Sequence, residues 1–135
     1  MESKVVERLH DPDLRLYIVW VAVKHAQQPA ELAANAAREA QAFRRAGVLN
    51  YVDPQSDAAA AFALPLNLQR RMGVQLPAWD VYLSYSRGAR WDSQGPPPPA
   101  FWMHQLSNAP GELWLNPERL RAEVQRMLDE KSSKL

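Results

Sequence analysis

Apolar residues gather in a few dense blocks along this chain, and prolines or glycines punctuate the stretches between them. Leu14 to Val23, LRLYIVWVAV, is the densest block. β-Branched and aromatic residues dominate it, and from Leu16 onwards every position is apolar. That pattern predicts a central strand covered on both faces. Asp11-Pro12-Asp13 precedes it and ends one or two helical turns over Glu2 to Leu9, because proline removes a donor and restricts its neighbour.

After a loop from Lys24 to Gln28 the period changes. Pro29 suits the first position of a helix, and Pro29 to Ala46 is rich in good helix formers. Ala33, Ala36, Ala37, Ala40 and Phe43 fall at helical spacing, a stripe small enough to lie close to a sheet. Gly47 stands where a left-handed C-terminal cap is expected. Val48 to Val52 reads as a second strand, closed by Asp53-Pro54. Strand, helix and strand in this order predict a right-handed parallel crossover. Asp57 to Leu64 reads as a helix capped by Ser56 or Asp57. Pro65 interrupts it, and Leu66 to Met72 adds a turn before Gly73.

From Trp79 to Tyr85 the residues alternate, with Trp79, Val81, Leu83 and Tyr85 on one face and Asp80, Tyr82 and Ser84 on the other. A turn at Ser86-Arg87-Gly88-Ala89, with Gly88 at positive φ, predicts a hairpin whose second strand starts at Arg90 and Trp91. Pro96 to Pro99 is a stiff polyproline spacer. Phe101, Trp102, Met103 and Leu106 then return to the core. The last element is a helix with Asn116 as cap, Pro117 first and Glu118 at the positive end of the dipole. Its buried stripe is Leu120, Val124, Met127 and Leu128, and Ser132 to Leu135 is a frayed tail.

Composition narrows the chemistry. The 135 residues suit one domain, read as 1–131, with 47% hydrophobic and 23% charged residues. The formal charge is only +1, and Arg44-Arg45 and Arg70-Arg71 are the only basic doublets, so nucleic acid is not expected as a partner. The chain contains no cysteine, which excludes disulfides, thiol nucleophiles and cysteine-based zinc sites. His10, His25 and His104 lack metal-ligand spacing, so no metal or other cofactor is expected. The N-terminal stretch has no apolar signal core, and Leu16 to Val23 is too short to span a bilayer. A cytoplasmic protein without a membrane partner is the expectation.

The order short helix, strand, helix, strand, helix, strand, strand, helix resembles the thioredoxin-like fold. The local signature is Leu76-Pro77-Ala78, a proline just before the hairpin strand, where thioredoxin-like proteins carry a cis-proline facing the redox site. The segment AWDVYLSYSRGARW also looks like a bacterial branch of these proteins. The resemblance implies an α/β sandwich with a mixed sheet and helices on both faces. The family's first strand and its Cys-x-x-Cys motif have no counterpart here. Thiol–disulfide exchange needs an attacking thiolate, so no such activity is expected from this chain. A missing strand would also leave an open edge along Leu14 to Val23. A partner protein, a second copy or a lost N-terminal segment could occupy it.

Candidate sites follow, each beside its simpler reading. Asp80, in an apolar strand, could be an acid–base group with a raised pKa, or a solvated carboxylate capping an amide. His104, among aromatic residues, could be a general base with Asp80 or Asp92, or a packed core histidine. Ser84, Ser86 or Ser93 could complete a triad, but no nucleophile elbow surrounds them. Trp79, Trp91, Trp102 and Trp114 could line a recognition groove or fill the core. The implied function is a non-catalytic protein-binding domain, with Pro77, Trp79, Asp80, Trp91, Trp102 and His104 as candidate binding residues. The alternative is a truncated or split redox protein whose Cys-x-x-Cys segment lies on another chain or was lost. A hydrolase using Asp80 and His104 is a third reading.

Overall fold

The structure, a computed structural model, describes residues 9, 11–22, 28–43, 47–68, 77–107, 109 and 111–132. It is mixed α/β. Strand β1 is Leu16–Val21, helix α1 is Pro29–Glu39, and strand β2 is Val48–Asp53. Helix α2 is Asp57–Ala63, strands β3 and β4 are Val81–Ser84 and Phe101–His104, and helix α3 is Pro117–Ser132. The helical turns expected at the N-terminus fall outside the described residues, apart from a buried Leu9. The Leu76–Pro77 bond lies outside them, and so does the expected turn before Gly73 beyond Leu68.

The parallel crossover is present. β1 and β2 pair in parallel, Leu16 opposite Val48 through Val21 opposite Asp53. Pro29 opens α1, and Gly47 takes a φ of +84° before β2. A side chain at Gly47 would bring its Cβ to 3.2 Å from the Leu14 carbonyl oxygen, so both conformation and space favour glycine there. Helix α1 is shorter than the composition predicts. After Glu39 the chain tightens into a 3₁₀ turn over Ala40–Phe43. Of the expected stripe Ala36 is buried and Ala40 and Phe43 are half-buried, while Ala33 and Ala37 are exposed; Leu32, outside that stripe, is buried with Ala36.

The hairpin differs from expectation. The turn at Ser86 to Ala89 forms, with the Ala89 N–H donating to the Ser86 carbonyl and Gly88 at a φ of +88°. The strand that pairs with β3 is not the segment after Arg90, however. It is β4, with Val81 opposite His104 and Ser84 opposite Phe101. The reason is burial. Arg90 to Gln94 are all exposed and offer a sheet almost nothing to bury, whereas Phe101 to His104 supply an apolar strand. The intervening chain closes a second small turn, where Asp92 and Gly95 exchange two backbone hydrogen bonds, and returns through the prolines.

The antiparallel ribbon β3–β4 is the centre of the molecule. Met103, Phe101 and Tyr82 on one face meet Leu9, Leu115, Leu120 and Val124. Val81, Leu83 and Trp102 on the other meet Leu66, Leu68, Ala78, Leu106, Phe62 and Trp79. Met103 and Leu68 are fully sealed, and each such side chain is worth about 1.5–3 kcal/mol against exposure. Helix α3 starts as predicted, with the Arg119 N–H donating to Asn116 Oδ1 at 3.0 Å.

The strand expected to be central is therefore peripheral. Among the described residues the two ribbons are separate two-stranded sheets rather than one mixed sheet. Helix α2 links them. Asp53 caps it, its Oδ1 accepting from the Asp57 N–H at 3.1 Å and its Oδ2 from the Ala58 N–H at 2.9 Å. Ser56, expected to cap, instead donates from Oγ to the Ala22 carbonyl at 2.8 Å and ties α2 to the end of β1. On the other side, the Ala59 carbonyl accepts from the Ala78 N–H at 2.8 Å, and Phe62 enters the second core cluster.

Candidate recognition surface

Side chains alternate along paired strands, so the register of β1 and β2 sorts them into two faces. Leu16, Ile18, Trp20 and Val48 are half-buried on one face, with Asn50 and Val52 exposed at the β2 side of it. The other face carries Tyr17, Val19, Leu49 and Tyr51, and all four are exposed, Tyr17 at 58% and Tyr51 at 51%. The two tyrosine rings stack at a centroid distance of 6.3 Å. Only at its end does this face carry a charge, Asp53, whose carboxylate is already engaged by α2.

The edges of this ribbon have a definite hydrogen-bonding pattern. The Leu16 N–H donates to the Gly47 carbonyl at 2.9 Å and the Ala22 N–H to the Asp53 carbonyl at 3.4 Å. Even-numbered residues of β1 thus point their backbone groups at β2. Tyr17, Val19 and Val21 point theirs away, and no strand pairs with that side among the described residues.

The sequence-predicted site residues do not converge on this face. His104 is fully buried between the Trp102 and Trp114 rings, at centroid distances of 5.7 and 5.8 Å. Its Nδ1 accepts the Leu106 N–H at 3.1 Å, which places the proton of the neutral ring on Nε2. Asp80 is exposed, at a φ of +49°, and its carbonyl accepts the Gln105 N–H at 2.9 Å. One partner of the hydrolase pair faces water and the other is sealed from it, so a substrate could not meet both.

Pro77 and Trp79 are half-buried at the start of β3, joined by a backbone hydrogen bond from the Trp79 N–H to the Pro77 carbonyl. Trp102 packs in the core. Trp91 is 54% exposed and meets Phe62 edge-on at 5.2 Å. Of the six candidates, Trp91 and Asp80 are the exposed ones.

Tyr17, Val19, Leu49 and Tyr51 escaped the sequence reading because apolar residues at both parities were taken as buried at both. Two tyrosines at matching positions were the available signal, since an amphipathic ring is suited to a wet boundary. Tyr85, beyond β3, has a hydroxyl sealed from water, and burial raises its pKa above 10.0. No group of three or more metal-ligating side chains occurs among the described residues, and no helix there is long and apolar enough to cross a membrane. No protein-family model matches this chain, and neither a curated protein nor a solved structure does.

Proposed function

We propose that this chain is a non-catalytic, thioredoxin-like protein-binding domain without thiol–disulfide activity. The observation that carries this reading is the β1–β2 ribbon. It offers an apolar face, charged only at Asp53, together with a strand edge that nothing pairs among the described residues, in a sheet type that is ordinarily covered on both faces. The fold-family part rests on element order: a parallel crossover, a helix, an antiparallel pair and a closing helix. The loss of thiol chemistry rests on composition, since no sulfur nucleophile exists in the chain. Tyrosines at the centre of an exposed patch are the anchors such a surface needs, because they bury much area at little entropic cost.

The test compares the tagged chain with its Tyr17→Ser/Tyr51→Ser variant in affinity purification under identical conditions. The native chain is expected to retain a polypeptide in stoichiometric amount that the variant loses while keeping its circular dichroism. Equal retention by both would remove the face from the binding site. A captured partner that carries Cys-x-x-Cys and regains thiol exchange with this chain would move the reading to the alternative, a redox protein split over two chains.

A further inference from the structure

We propose that the outer edge of β1, which no strand pairs among the described residues, is filled by the β1 strand of a second copy, in antiparallel register centred on Val19. The inference deepens the binding-domain reading by naming the occupant of the edge. Three residues, Tyr17, Val19 and Val21, direct their N–H and C=O groups away from β2, as the bonds from Leu16 to Gly47 and from Ala22 to Asp53 require. They are spaced symmetrically about Val19.

A two-fold axis through Val19 sets Val19 opposite Val19 of the second copy and Tyr17 opposite its Val21. Every outward group then finds a partner, giving six hydrogen bonds by strand geometry. Shifting the register by two residues leaves only four. A shift by one is forbidden, because it would set exposed side chains against half-buried ones. Ile18 falls opposite Trp20 of the second copy on the other face, an apolar pair in the closer, non-hydrogen-bonded position.

The edge lacks what keeps a strand from pairing with its own copy. β1 carries no charged residue, no proline and no glycine, so none of the usual devices that keep an edge single is present. Like meets like at the axis without repulsion. The whole chain has a net charge of only +1, so two copies approach without long-range penalty. The product is a four-stranded sheet, β2–β1–β1–β2, in which the Tyr17–Val19–Leu49–Tyr51 faces of both copies join into one platform.

Light scattering on the purified full-length chain at micromolar concentrations is expected to give twice the chain mass. Val19→Lys places two ammonium groups at the axis and is expected to give the single-chain mass with unchanged circular dichroism. Because the chain lacks cysteine, Val19→Cys and Tyr17→Cys each introduce a lone thiol. A short thiol-specific crosslinker is expected to join two Val19→Cys chains and to leave Tyr17→Cys single, since only position 19 meets itself. A single-chain mass for the native protein, or a dimer that Val19→Lys leaves intact, overturns the proposal. So does crosslinking at 17 in preference to 19. Partner retention by a native chain of single mass would overturn this inference alone. A dimer that retains no partner would overturn the binding-domain reading alone.

Discussion

Tyr85 concentrates what one residue can reveal. It follows β3 directly, and its hydroxyl has neither water nor a hydrogen-bond partner among the described residues. A phenol in that position gives nothing back for its lost hydration. Tyr85→Phe is therefore expected to leave the melting temperature at neutral pH unchanged or slightly raised. A drop of several degrees would mean that the hydroxyl is engaged. Burial also raises the Tyr85 pKa above 10.0, because the phenolate is the form that burial disfavours. The unfolded chain then releases the proton first as pH rises past about 10, so stability falls from there upward. Thermal melts on both sides of that pH should show a smaller alkaline loss in Tyr85→Phe than in the native chain. At this scale the sequence was legible for Asn116 and Gly47, whose roles are local. For Asp80 and His104 it offered two readings each, and the structure bears out the simpler one: an exposed residue and a packed, hydrogen-bonded histidine.

Among the elements, α2 shows how a short helix is made to hold. Its seven residues are too few to be stable alone, and it is fastened at its N-terminal end. Asp53 supplies two carboxylate oxygens to its first N–H groups, and Ser56, at a φ of +60°, bonds back to the end of β1. Asp53→Ala is expected to cost about 1–2 kcal/mol in urea unfolding, at the upper end of cap deletions because two bonds go at once. Asp53→Asn keeps one acceptor and should recover part of that loss. A cost near zero would show that water replaces the carboxylate without penalty. Sequence spacing pointed to Ser56 and Asp57 because caps ordinarily lie next to the first helical residue. The Asp53-Pro54 turn was legible as the close of β2, but that its carboxylate reaches the Asp57 and Ala58 N–H groups depends on the path of the turn.

For the molecule as a whole, burial is distributed unevenly between the two ribbons. Met103 is sealed at the centre of the β3–β4 ribbon, whereas Leu49 lies 44% exposed on the open face of the β1–β2 ribbon. Met103→Ala is expected to cost about 2–5 kcal/mol, the range of cavity-forming core truncations. Leu49→Ala should cost no more than about 0.5 kcal/mol, as for surface sites. Denaturant midpoints at constant slope provide the comparison. The reverse order would put the parallel ribbon in the core and close the proposed binding face. The same unevenness leaves Leu16–Val21, apolar as it is, at the periphery, with an exposed tyrosine face and no strand on its outer edge among the described residues.

What the amino-acid order determined by itself is what depends on neighbours. The succession of β1, α1 and β2, the positive φ of Gly47 and Gly88 and the start of α3 at Asn116-Pro117 follow from residues within a turn or a strand of one another, and the impossibility of thiol chemistry follows from composition. What only the tertiary structure decided is pairing and side. Phe101–His104 displaced the segment after Arg90 as partner of β3, and the two-sided covering expected for β1 went to β3–β4. Strand pairing at long range is settled by which apolar faces can be buried together, and hydropathy marks a face as fit for burial without naming what will bury it.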